Sequence, residues 1–310
     1  MQARTSLHVV FMACSLSGCL QSAPNSQFSE DENSSDDDSL GHTQDDLVNG
    51  QPLAAGPAGS PHTYVAFLDA APQHGSDYHC TGLLYQGRWV ITARHCLEEV
   101  ILSGGTLRFS FPASSVPEQS YYGKYALWER NKVWHSHHDD DVALVFLDRR
   151  PAITGSSVLS FQTLPTFSAR AFGRMDSDGS HSWDRVLFKD AWVGSDREPG
   201  EERDIWRTFG GEISHEGDSG GPVYGNFLGS SAFRGLIVAN DRVERDDANC
   251  QCRQWQPTTN VVRFDQNAGF MQRVFGANPT ATELASLGFK FRKAARQGRV
   301  YSFPASMEDL

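Results

Sequence analysis

The sequence has no surplus of basic charge and no long apolar run. Its 27 Lys and Arg face 38 Asp and Glu, a formal charge of -11 over 310 residues. No stripe of bases suited to a phosphate backbone is present, which excludes nucleic acid as a partner. No apolar run reaches the roughly 18 to 20 residues that cross a bilayer as a helix. Lys and Arg are absent from residues 20–46, where eight acids stand (Glu30, Asp31, Glu32, Asp36, Asp37, Asp38, Asp45 and Asp46). With Arg4, the first 46 residues carry -7 and the other 264 carry -4. The acidity is therefore mainly a tail on a nearly balanced body. That body, in a chain with 39% hydrophobic residues, 28 Gly and 14 Pro, can bury a core and is punctuated for a turn-rich fold. One globular domain is expected.

The N-terminus reads as export. Ser6 to Leu16 holds eight apolar residues of eleven, which is signal-peptide length and too short to span. The run closes on Leu16-Ser17-Gly18-Cys19, which resembles the lipobox of bacterial lipoproteins. That resemblance implies a signal peptide over 1–18 and lipid on Cys19, with the protein held at the cell envelope through that lipid or released outside. Residues 19–46 are too polar to offset their ordering entropy and read as a disordered, self-repelling tether or propeptide. Cys14 leaves with the signal. Cys80, Cys96, Cys250 and Cys252 remain, an even set that reads as disulfides with three possible pairings. Cys250-x-Cys252 near His residues is a weak zinc pattern, and Asp176-Ser177-Asp178-Gly179 is too short for a calcium loop and reads as a turn. No metal or cofactor is expected.

From residue 60 onward, short apolar or alternating runs recur between turn residues: Thr63 to Leu68, Arg88 to Ala93, Leu107 to Phe111, Val142 to Leu147, Val186 to Val193 and Gly235 to Ala239. This is an all-β pattern of sandwich or barrel type, with helix expected only near Phe264 to Val274 and Thr282 to Ala295. Three stretches carry residues that acyl transfer needs. Trp89-Val90-Ile91-Thr92-Ala93 leads into His95. Asp139-Asp140-Asp141 opens onto the apolar Val142-Ala143-Leu144, with Asp141 directly before the run. Gly217-Asp218-Ser219-Gly220-Gly221-Pro222 has glycines that permit a tight turn exposing a hydroxyl beside backbone N–H groups.

Cys80-Thr81-Gly82-Leu83-Leu84, WVITARHC, DDVAL and GDSGGP, in that order, resemble the trypsin or chymotrypsin family of serine endopeptidases. The three candidate residues stand 46 and then 78 positions apart, in the family's order His, Asp, Ser. The resemblance covers roughly 47–275. It implies two six-stranded antiparallel β-barrels, here with a short C-terminal helix, and no cofactor. Ser219 would be the nucleophile, His95 the base and acid, and Asp141 its orienting partner, while the N–H groups of Gly217 and Ser219 would form the oxyanion hole. A Cys80–Cys96 disulfide is expected. Leu47-Val48-Asn49-Gly50 is similar to the family's mature start, which implies a zymogen cut at Asp46-Leu47 by an activating protease, with the new α-amino group of Leu47 pairing with Asp218. The domain would then run 47–276, followed by a C-terminal extension, 277–310, read as a helix with a basic face.

By family position Ile213, six before the nucleophile, lies at the base of the specificity pocket. An apolar base excludes a Lys or Arg substrate side chain. Leu236 to Asn240 replaces the family's usual pocket wall, and His215 with Arg234 nearby would favour an acidic residue. His215 stands where relatives carry a Cys, so Cys250 and Cys252 lack their usual partner. The substrate class implied is protein or peptide. The alternatives are a catalytically inactive, protease-like surface binding protein and an esterase using the same residues.

Overall fold

A computed structural model describes residues 51–53, 59–72, 77–103, 105–114, 119–129, 141–174, 185–196, 205–247, 252–276, 298–302 and 306–308. The lipobox, the tether, Leu47, Asp139, Asp140, Asp176 to Gly179, Cys250 and residues 282–295 lie outside them, as does the side chain of Cys252.

The chain folds into two closed six-stranded antiparallel β-barrels. The first is built from β2 (Val65–Ala71), β3 (Tyr78–Tyr85), β4 (Trp89–Thr92), β5 (Thr106–Ser110), β6 (Tyr121–Glu129) and β7 (Ala143–Leu147). It closes because the start of β6 pairs with β5 and its later residues pair with β7. The second barrel comprises β8 (Thr166–Gly173), β9 (Val186–Asp196), β10 (Ile205–Phe209), β11 (Pro222–Phe227), β12 (Ser230–Asp247) and β13 (Cys252–Arg263), closed by pairing of β8 with both β9 and β11. A short β1 (Gln51–Leu53) adds to β9. Every sequence run named above lies in or overlaps one of these strands. The runs appear where β-branched and aromatic residues can fill a closed, strongly twisted sheet.

Two α-helices are present among the described residues. The expected one is α2 (Ala268–Gly276), whose Phe275 packs 4.4 Å from Tyr85 and 6.1 Å from Trp89, centroid to centroid. A helix that leaves the second barrel thus ends on the first. The unexpected one is α1 (His95–Ser103). Its Leu97, Val100 and Ile101 are buried, and their i, i+3, i+4 spacing gives one apolar face. The C-terminal extension is described over only two short stretches, and the helix expected at 282–295 lies outside them. Its described parts are strands, β14 (Gly298–Ser302) and β15 (Ser306–Glu308). β14 pairs with Tyr125 to Glu129, on the portion of β6 that β5 leaves open.

Most buried apolar side chains of the first barrel, together with Phe172, Phe233, Leu236, Val262 and α2, form one continuous cluster. A smaller one, around Phe167, Trp206, Val223 and Val261, fills the second barrel.

Candidate active site

The position of Asp141 follows from strand register. β4 pairs antiparallel with β7, with Thr92 opposite Ala143, so two residues beyond the end of β4 the chain lies beside residue 141. There the backbone N–H of Arg94 donates to the carbonyl of Asp141 at 3.4 Å. The Asp141 carboxylate then holds His95 twice: Oδ1 accepts the His95 backbone N–H at 2.9 Å and Oδ2 lies 2.5 Å from the ring Nδ1. Asp141 is 6% exposed. Burial raises the energy of its charge, but the charge of His95 and the bonds to it prevail, so the carboxyl sits below its ordinary value. Burial likewise disfavours the His95 imidazolium, yet the Asp141 charge and hydrogen bond outweigh it and hold the imidazole above its ordinary range. A disulfide joins Cys80 on β3 to Cys96, the second residue of α1, and ties the histidine turn to the barrel wall.

The loop from β10 to β11 carries Ser219 and is pressed onto the first barrel. The backbone N–H of Thr81 donates to the carbonyl of Ser219 at 2.8 Å, and Thr81 Oγ1 donates to the carbonyl of Gly217 at 3.0 Å. A Cβ at Gly220 would overlap the Thr81 carbonyl and Thr92 Oγ1, so only glycine permits this approach. Gly217 has φ +102°, the left-handed region that turns the peptide before Asp218. On the second-barrel side, Gly220 N–H donates to the Ile237 carbonyl at 2.7 Å and Ile237 N–H to the Gly221 carbonyl at 2.8 Å. Among the described residues, the N–H groups of Gly217 and Ser219 donate to no protein acceptor.

Asp218 is fully buried. Its Oδ1 accepts the Arg174 N–H at 2.8 Å and its Oδ2 accepts the His215 N–H at 3.0 Å, so its carboxylate shapes the loop directly. The guanidinium of Arg174, also fully buried, crosses into the first barrel, where Nη1 donates to Asp69 Oδ1 at 2.9 Å. It stacks over Phe67 at 4.6 Å. Burial works against the charge of Asp69, but Arg174, Arg108 and His79 hold its carboxyl below the ordinary value.

The structure brings His95 and Asp141 together and places Gly217 and Ser219 in one loop beside them. Cys96 Sγ lies 3.7 Å from the carbonyl oxygen of Ser219 and 3.7 Å from His95 Nε2. No hydrogen bond joins the Ser219 hydroxyl to His95. Ile213 is 4% exposed and lies under a hydrogen-bonded cover. Arg234, expected near the pocket, is buried instead against the β11–β12 hairpin: Nη1 donates to Ser160 Oγ and Nη2 to the Ser230 carbonyl. It contributes no charge to a substrate pocket. The sequence reading passed over Thr81, although it lies within the quoted CTGLL motif. No local motif marks Arg174, and Asn240 stands out in sequence only as the end of the Leu236 to Asn240 stretch.

A family model described as trypsin matches residues 57–228, more than half of the chain. No curated protein matches it.

Proposed function

Since the chain belongs to the trypsin family of serine proteases, we propose that it is a serine endopeptidase working through Ser219, His95 and Asp141. The observation that carries this reading is the double grip of Asp141 on His95 beside a loop whose Gly217 and Ser219 N–H groups are uncommitted. With Asp141 on Nδ1, that nitrogen carries the proton and Nε2 keeps its lone pair. As the Ser219 hydroxyl oxygen attacks the peptide carbonyl carbon, Nε2 takes its proton. The carbonyl oxygen becomes an oxyanion facing the Gly217 and Ser219 N–H groups, and Asp141 stabilises the imidazolium. The imidazolium then protonates the leaving amine, the acyl group stays on Ser219, and a water deprotonated by His95 releases it. Losing one oxyanion donor of this kind costs about 2.7 to 4 kcal/mol of transition-state stabilisation.

The proposal extends to processing. The signal and lipobox direct export and lipid attachment at Cys19, and a cut at Asp46-Leu47 by an activating protease frees an α-amino group for Asp218, the residue that already orders the loop through Arg174 N–H and His215 N–H. N-terminal sequencing of fully active protein is expected to begin at Leu47, and full activity with residues 19–46 intact would rule the zymogen out.

A second reading, a protease-like binding protein without turnover, is favoured by one observation: no hydrogen bond joins Ser219 to His95. Such bonds often tighten only on substrate binding, and a single experiment separates the readings. A fluorophosphonate is expected to label Ser219 in the processed protein, with labelling abolished in Ser219→Ala. Absence of labelling after processing establishes the binding protein. Turnover of esters but not of peptides would identify an esterase.

A further inference from the structure

The residue whose carbonyl is attacked must seat its side chain within a few ångströms of Ser219, so the walls beside that hydroxyl decide which residue it can be. Three segments form those walls. Ile213 to His215 runs directly into the Ser219 loop, β12 is tied to the same loop through Ile237, and β13 pairs with β12, placing Thr259 opposite Asn240. The register slips between Ile237 and Ala239, and beyond Leu236 the strand has parted from β11.

The interior of this recess is shut. Ser214 is 1% exposed, Thr258 and Thr259 are fully buried, and the expected base, Ile213, is 4% exposed. What closes it is the side chain of Asn240, an exposed residue. Its Oδ1 accepts from Ser214 Oγ at 2.6 Å and from Thr259 Oγ1 at 2.8 Å. Its Nδ2 donates to the Ser214 carbonyl at 2.5 Å and to Glu212 Oε1. Thr259 Oγ1 also accepts the Ile213 N–H at 2.9 Å. An amide offers two donors and two lone pairs, and all four are used. Swinging Asn240 aside would leave the Ser214 carbonyl without its amide donor and the Ser214 and Thr259 hydroxyls, 3.1 Å apart, sharing one bond where they now share three, a cost that favours the closed arrangement.

The floor that a substrate meets is therefore the Asn240 amide and not Ile213. That floor leaves no depth for a long side chain and no spare donor or acceptor for a charged one, which would lose water without gaining a partner. An acidic side chain would in addition meet the Glu212 carboxylate, which sits at the rim and is already engaged by Asn240.

We propose that Asn240 seals the primary specificity pocket and restricts cleavage to bonds that follow small uncharged residues: Gly, Ala or Ser. The proposal rests on the serine endopeptidase reading above, and its test keeps the two separable. Processed wild-type protein is treated with a fluorophosphonate, which reports on the nucleophile, and is then profiled on a peptide series varied only at the residue before the scissile bond. The expected result is labelling of Ser219 together with a kcat/KM for Ala about 100-fold or more above those for Phe, Leu, Arg and Glu. In Asn240→Gly the recess opens, and kcat/KM for Leu or Phe rises about tenfold or more relative to Ala. Labelling with a preference for a bulky, basic or acidic residue overturns the pocket proposal and leaves the endopeptidase reading intact, as does an Asn240→Gly profile identical to wild type. Absence of labelling overturns both. Should the variant fail to fold, the wild-type profile decides alone.

Discussion

The two barrels share a topology and differ in what they bury. Among the described residues, the first barrel's own strands and ends bury only the hydroxyls of Thr81 and Thr92 and the Asp141 carboxylate as polar side chains, and a single guanidinium, that of Arg174, enters from the second barrel to meet Asp69. The second buries Arg207, Arg234 and Arg263, with Arg174 at the end of β8, besides Thr208, Thr258, Thr259 and Asn260. Each guanidinium lies against an acceptor or an aromatic face: Arg263 forks onto Asp265 at 3.0 and 2.7 Å and stacks over Trp206 at 5.0 Å, and Arg207 donates to Asn260 at 3.2 Å. The first barrel carries the histidine and aspartate on a hydrocarbon frame braced by a disulfide. The second shapes the serine loop and pocket with directional polar bonds. Apolar packing holds a group in place without choosing among alternatives; hydrogen-bonded networks specify one arrangement and fail sharply when a partner is lost.

The sharpest test asks whether the barrels act as one machine. Ser219→Ala in the second and His95→Ala in the first should each lower kcat by about a million-fold, and the double variant should lose no more than either alone. Additive losses in a double-mutant cycle would mean that the two barrels do not share a step. Next in size is the polar frame itself. Asp265→Ala leaves the Arg263 charge buried and should cost about 3 to 5 kcal/mol in urea unfolding, whereas replacing both partners by apolar residues of similar volume should recover most of the loss.

The first barrel has its own brace. Removing the Cys80–Cys96 bridge, which spans 16 residues, should cost about 3 kcal/mol of stability, measured as a shift in the denaturant midpoint. A smaller effect lies in pH. Because Asp141 holds His95 above its ordinary value of 6.5, kcat/KM should fall about tenfold per pH unit below that raised value. The contribution of the His95 charge to stability runs the other way: it is fully present below 6.5 while Asp141 stays ionised, and is lost as pH rises through the raised value. Asp141→Asn should move the kinetic inflection down. The smallest effect concerns the β11–β12 hairpin, where Leu228, 89% exposed, has φ +49° and is followed by Gly229 at +80°. Leu228→Asn supplies the residue such a turn prefers and should add up to about 1 kcal/mol, read as a higher Tm.

What could be read from the sequence was what is written locally. GDSGGP, WVITARHC and DDVAL each place one residue by its immediate neighbours, and the strand runs showed themselves by composition. The helix after His95 was legible in principle, in the spacing of Leu97, Val100 and Ile101, but a reading that treats Cys96 as the close of a strand motif stops short of it. The contacts that shape the second barrel's side of the site were not legible. Arg174 meets Asp69 across 105 positions, and Asn240 reaches Thr259 only because a register slip in the β12–β13 pair turns it toward the recess. A departure from the family at Leu236 to Asn240 was visible, but not that one amide would satisfy both walls. The placement of Arg234 was hidden for the same reason, since nothing near it in sequence reveals that Ser160 and the Ser230 carbonyl claim it.

The placement of β14 has a consequence for how the molecule is made. Among the described residues, the outer edge of β6, from Tyr125 to Glu129, is paired only by residues 298–302. At roughly 5 to 20 residues per second, a ribosome takes on the order of ten to thirty seconds to advance from Glu129 to Gly298. Throughout that interval the barrel synthesised first presents an open strand edge, the kind that invites pairing with another chain. The barrel that holds His95 is thus begun early, completed late, and most in need of a chaperone in between.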